Sequence, residues 1–155
     1  MGLLTDYFRA PSAAVVVAAV QRSGGHSPVG EFDGVSAKWL EVLVVLGRLV
    51  VAATGESYRV GEHEAVWPTT PEPTGVPEDG DPWAEGPWVY EVGVEAHDAL
   101  ASITDPGVVA ARLVATAEEL DGASAGEWEP VVAELAALAR RARAAGERLY
   151  CWMCL

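Results

Sequence analysis

Four short constellations in the chain carry residue types used in catalysis or metal binding. Gly122, Ala123, Ser124, Ala125 and Gly126 have the G-x-S-x-G spacing of a nucleophile elbow, which needs a strand before the serine, a helix after it and a later histidine as base. Here the preceding segment reads as helix and His26, His63 and His97 all lie upstream, so the five residues read as a small-residue connector between helices. Cys151 and Cys154 form a C-x-x-C, which is reactive when both sulfurs converge at a helix start or on a metal-holding turn. On a strand, residues three apart point to opposite faces, and a lone pair with no second ligand pair reads as structural. Glu62, His63 and Glu64 resemble ligands, but in extended chain the two glutamates share a face that His63 does not. His97 and Asp98 sit side by side at a helix start, about 100° apart, and no H-E-x-x-H spacing occurs. The glycines between Gly24 and Gly30 lack the lysine of a phosphate-binding loop. No catalytic residue, metal ligand set or cofactor is therefore assigned. The enzymatic alternative is a small-ligand- or metal-dependent cleft beneath the loop at residues 67–88, with His63 or His97 as titrating group.

The stronger signal is charge. With 23 acids and 10 bases in 155 residues, the formal net charge is -13. Such a surface repels nucleic-acid phosphates and anionic lipid heads, so neither nucleic acid nor membrane is expected as partner. A basic protein partner fits, and so does simple solubility. Residues 1–59 hold five acids and five bases, residues 60–139 hold seventeen acids and Arg112 alone, and residues 140–155 hold one acid and four arginines. The arginine-bearing end is expected to fold back and neutralise part of the acidic middle. Within that middle, Trp67 to Trp88 packs six prolines, five acids and three tryptophans into 22 residues without one base. So many prolines exclude a regular helix or central strand, and the tryptophans argue against full disorder. Long loops of this kind inside a compact domain tend to be functional.

The elements that must carry these groups follow from periodicity. One core suffices at this length, so a single domain spanning residues 1–155 is expected. Leu3 to Phe8 reads as a strand, followed by a helix capped by Ser12 through Val20 and a glycine-rich loop from Ser23 to Gly34. Ser36 to Thr54 predicts a central buried helix, capped by Ser36 and terminated by Gly55, with Lys38, Glu41 and Arg48 on one narrow polar stripe. Trp88 to Val94 alternates as a half-buried strand with Trp88, Tyr90, Val92 and Val94 on one face. Helices follow over Ala96 to Ile103, from Asp105-Pro106 to Leu120, and from Glu129 to Ala145 with Gly146 as terminator. Arg148 to Leu155 predicts a C-terminal strand beside the Trp88 strand. The result is an α+β fold, a small, mostly antiparallel sheet packed on about five helices. Two cysteines make no disulfide framework, no cleavage signal flanks Ala13 to Val20, and the longest apolar run, Trp39 to Ala53, is too short to span a bilayer, so the expected location is cytoplasmic.

The opening Met1-Gly2 with Tyr7-Phe8, the Asp33 to Gly55 segment with Lys38-Trp39, the Tyr90 to Ile103 stretch, and the C-terminal helix and strand together resemble the YfbM-like family of small uncharacterised bacterial proteins. The resemblance spans most of the chain outside residues 60–86, where the proline and tryptophan loop departs from it. It implies one α+β domain with no established activity and no catalytic residues to carry over. Some similar small bacterial proteins act as immunity partners that neutralise toxins, an implication the acidic middle fits. Nine arginines to one lysine, with abundant alanine, valine and glycine, also suggest a GC-rich bacterial source.

The expected function is that of a non-enzymatic, immunity-like acidic binding protein that docks a basic protein partner. Glu72, Glu78, Asp79, Asp81 and Glu85 of the loop, with Glu118, Glu119 and Asp121, are the residues expected to draw the partner in. The second cluster stands where a helix C-terminus disfavours negative charge, which a docking role would explain and frayed, solvated acids would explain equally. Trp67, Trp83 or Trp88 would supply the desolvated anchor, with core packing beneath the loop as the competing use of the same rings.

Overall fold

A computed structural model describes residues 2–57 and 63–155. Strands β1 (Leu4–Ala10), β2 (Gly34–Ser36), β3 (Glu64–Trp67), β4 (Trp88–Glu91) and β5 (Arg148–Cys154) form one antiparallel sheet in the order β2-β1-β5-β4-β3. Helices are α1 (Ala13–Arg22), α2 (Val45–Thr54), the single turn α3 (Pro82–Glu85), α4 (Val94–Ala101), α5 (Pro106–Thr116) and α6 (Ala125–Ala145). This is the expected α+β fold, with β5 placed between β1 and β4.

The sheet is covered on both faces. Tyr7, Tyr90, Val92, Cys151 and Met153 point into a core shared with α2, α4, α5 and α6. Phe8, Val89, Tyr150 and Trp152 point the other way, against Val16 and Val20 of α1, and Phe8 stacks between Phe32 and Tyr150 with ring centroids 5.6 Å from each. Strand β4 is therefore buried on both sides rather than half-buried, because α1 covers the face that alternation alone leaves to solvent. Cys151 faces the first core and Cys154 packs against the second, as residues three apart on a strand must. Burial raises the Cys151 thiol's pKa, which keeps it in the unreactive protonated form.

Several boundaries follow their local signals. Ser12 caps α1 by accepting from Val15, Asp105 caps α5 by accepting from Val108, and the left-handed Gly55 and Gly146 end α2 and α6. Others are corrections. Ser36 lies in β2 and caps nothing; α2 begins only at Val45, so Glu41 precedes the helix and shares no stripe with Arg48. The central helix is α6, which packs on α4, α5, β1, β2 and β5. It begins at Ala125, four residues before the expected Glu129, because Ser124 and Glu127 close a reciprocal capping box. The serine of the G-x-S-x-G is thus a helix cap. Helix α4 begins two residues early, and α5 stops at Thr116, where Ala117 turns extended before a 3-10 turn over Glu118–Leu120.

The arginine-bearing end folds back, but onto few of the acids. Arg141 grips Asp33 through two bonds of 2.7 and 2.9 Å, and Arg9 joins Asp33 to Glu147 at 2.7 and 2.6 Å. Arg143 meets Asp98, Arg148 lies 3.8 Å from Glu91, and Arg140 donates to the Ile103 carbonyl. The Arg141 and Arg9 guanidiniums hold the Asp33 carboxyl down at about 2. A depressed folded pKa stabilises the fold above the ordinary carboxylate value and ceases to do so as pH falls through about 2. Since Asp33 is partly exposed, its expected share is about 1 kcal/mol. Urea unfolding should show wild type losing that margin over Asp33→Asn between about pH 4 and 2, with the two converging in stronger acid.

Candidate functional site

The turn over Ala37–Leu40 is pinned to β1: the Ala37 N–H donates to the Thr5 carbonyl at 2.9 Å, and the Tyr7 hydroxyl donates to the Leu40 carbonyl at 2.9 Å. Held at both ends, Trp39 takes a φ of 73°, a conformation few non-glycine residues adopt, and keeps its side chain half out in solvent. Its ring lies on Gly2, where a Cβ would stand 2.8 Å from the indole. Glu41 then folds back, its carboxylate accepting the N–H groups of Leu43, Val44 and Val45 at 2.7 Å each, and α2 starts from this cap.

On the far side, the 3-10 turn and the start of α6 bring Glu119, Asp121, Glu127 and Trp128 opposite Trp39 and Val44. Between these walls runs a trough of about 900 Å³ whose apolar lining includes Leu3, Val45, Leu120 and Val131. Four carboxylates, Glu41, Glu119, Asp121 and Glu127, line it against the single ammonium of Lys38. Glu119 also approaches Arg48 of α2 at 3.4 Å, and its pKa is lowered, first by its own backbone N–H and then by Arg48. The extended Ala117 makes Glu118 and Glu119 open a new turn instead of closing a helix, so the charge misplacement expected from sequence is absent.

A second hollow, of about 290 Å³, adjoins the trough at Leu3 and Glu41 and lies beneath the proline and tryptophan loop. Glu72, Trp83, Trp88 and Tyr90 line it. Trp83 is a core residue, 6 % exposed, and its indole N–H donates to the carbonyl and hydroxyl of Thr70 at 3.1 and 3.2 Å. Trp88, half-buried, donates its own indole N–H to the Trp83 carbonyl at 3.1 Å. Asp81 caps α3 by accepting the Trp83 N–H at 2.8 Å. Glu78, Asp79 and Glu85 are exposed and lie outside both hollows, and Glu118 borders a separate depression that Asp121 also lines. Of the eight acids singled out from sequence, Glu119 is the one with an ion pair among the described residues.

The imidazoles lie elsewhere. His97 is buried, and its Nε2–H donates to the Ala139 carbonyl at 2.9 Å, which fastens α4 to α6. His63 Nδ1 accepts the Gly93 N–H at 3.1 Å. A cleft under the loop exists, but neither histidine lines it, and Glu62 lies outside the described residues. Among the described residues no three His, Cys, Asp or Glu side chains converge as a metal site, and no helix is long and apolar enough to cross a membrane. Sequence reasoning missed Trp39, Trp128 and Tyr90 as wall residues; the only local cue was the unusual number of tryptophans. Compared with family models, curated proteins and solved structures, the chain matches none.

Proposed function

We propose that this protein is a non-enzymatic binding protein that docks a basic protein partner in the trough between the Trp39 turn and the start of α6. The reading rests on one observation: an apolar trough with a half-exposed tryptophan at its mouth is lined by four carboxylates and one ammonium. Apolar area and an aromatic anchor supply affinity, while the net negative charge of the edges supplies encounter rate and selects against acidic partners. The exposed acids Glu72, Glu78, Asp79 and Glu85 extend the negative field to the neighbouring loop. The C-terminal arginines are occupied with Asp33, Asp98, Glu91 and the Ile103 carbonyl, which leaves that field largely intact. An immunity-like role, and membership of the YfbM-like family, belong to the same proposal. They agree with the α+β fold, and the toxin-neutralising role calls for no catalytic centre.

The test is differential capture from the native cell at low and high salt. Wild type should retain a basic protein at low salt and release it at high salt. Glu119→Lys with Asp121→Lys should lose it, whereas Glu95→Lys with Glu134→Lys, an equal charge change at exposed sites away from the trough, should keep it. Equal capture by both variants, or no partner with wild type at either salt, would overturn the reading.

A further inference from the structure

We infer that the hollow beneath the loop receives the guanidinium of an arginine side chain, presented by the partner that lies in the adjoining trough. The inference rests on the docking proposal above and names the chemistry of its anchor. The polar groups of the hollow decide what can enter. Both indole N–H groups are already spent, Trp83 on Thr70 and Trp88 on the Trp83 carbonyl, so the two rings offer apolar, electron-rich surface and no donors. Tyr90 is 6 % exposed, lines the hollow, and its hydroxyl makes no hydrogen bond among the described residues. Glu72, itself exposed, lines the same space and has no ion pair among the described residues. Burial and the charge of Glu72 together raise the Tyr90 pKa; the neutral phenol hydroxyl offers an acceptor oxygen to whatever enters.

An occupant matching these walls must be positively charged, flat enough to lie on aromatic carbon, and supplied with N–H donors for both Glu72 and Tyr90. A guanidinium meets all three conditions: it is planar, weakly hydrated and carries five donors in a fork suited to a carboxylate. A quaternary ammonium has no N–H and leaves the Tyr90 hydroxyl unmet, and a primary ammonium is more strongly hydrated and less suited to stacking. The hollow shares Leu3 and Glu41 with the trough, so a chain lying in the trough can direct one side chain beneath the loop.

The probe is acetyl-arginine amide, too small to fill the trough, followed through the indole N–H resonances of Trp83 and Trp88, which report on the hollow. Saturable shifts of both are expected with the arginine compound, and none with its neutral citrulline counterpart. Glu72→Gln should weaken binding about tenfold and Tyr90→Phe about threefold, as loss of a charged and a neutral hydrogen bond implies. Both variants should unfold at the wild-type temperature, and Glu119→Lys with Asp121→Lys should leave this binding unchanged. Absence of saturable shifts in wild type, undiminished binding by Glu72→Gln or Tyr90→Phe, or equal binding of a trimethyl-lysine compound would overturn the assignment. If the cellular partner is lost with the trough variant but unaffected by Glu72→Gln, the anchor assignment alone fails. If the arginine compound binds as described and no partner is captured, the docking proposal fails and the site stands as a guanidinium site.

Discussion

Replacing Trp83 with alanine should cost about 3–5 kcal/mol of stability, the range for removing a buried aromatic side chain, and should erase the hollow beneath the loop. The residue sits on α3, whose four residues are too few to persist as an isolated helix. Its indole is buried in the first core, its N–H holds Thr70, and its carbonyl receives the Trp88 indole. Truncation leaves the Thr70 carbonyl without that donor and uncovers Trp88 together. Six prolines between Trp67 and Trp88 supply little hydrogen bonding of their own, so the loop's position depends on this one inserted ring. Trp83→Phe, which keeps most of the apolar volume and loses the N–H, should cost only about 1–2 kcal/mol. Urea unfolding with tryptophan fluorescence measures both, and hydrogen exchange over residues 68–87 should accelerate in the alanine variant at conditions where the rest of the fold is protected. A loss below about 1 kcal/mol in Trp83→Ala would mean that the loop is held by something else.

What could be read in advance divides along the range of the interactions. Ser12, Asp105 with Pro106, Gly55 and Gly146 act within four residues, and each marks a true helix boundary. The alternation from Trp88 and from Arg148 reports strand and orientation correctly over Trp88 to Glu91 and Arg148 to Cys154, because side-chain period is a local property, whereas Val94, expected on the inner face of the first strand, opens α4 and is exposed. Strands β2 and β3 have only three and four residues and take their form from β1 and β4, so no periodicity reveals them. Gly34 carries a clue visible only in three dimensions: a Cβ there would lie 2.5 Å from the Tyr7 carbonyl oxygen, so its place in β2 needs a residue without a side chain. The trough is the least legible part. Trp39 and Trp128 come to line one trough only through tertiary packing, and a left-handed backbone at a tryptophan has no sequence signature. The acids were legible as charge, but whether each edges a cleft, caps a helix or stands in solvent depended on turns such as Ala117 that composition does not encode.

Glu41→Ala should destabilise the protein by about 2–3 kcal/mol, more than an exposed or half-exposed glutamate ordinarily would, because it caps α2 from outside the helix. The sequence offers α2 no serine, threonine, aspartate or asparagine at Val44, and the helix has no acid in its first turn. Glu41 replaces both functions. Its two oxygens accept three successive N–H groups at 2.7 Å, which satisfies donors the helix cannot and places negative charge at the positive end of the helix dipole. Glu41→Gln retains one acceptor oxygen but no charge and should cost about 1 kcal/mol. The consequence reaches the binding surface, since Glu41 borders both the trough and the hollow and the capped segment carries Val44 and Val45 of the trough wall. Fraying of that segment should therefore weaken partner capture and arginine-amide binding together, whereas Glu119→Lys with Asp121→Lys affects the first alone. Urea unfolding of the two Glu41 variants, with amide exchange at Leu43, Val44 and Val45, separates the cap from a general charge effect. If Glu41→Ala unfolds within a few tenths of a kcal/mol of wild type, the carboxylate is not what starts α2, and Val44 and Val45 of the trough wall are held in place by something else.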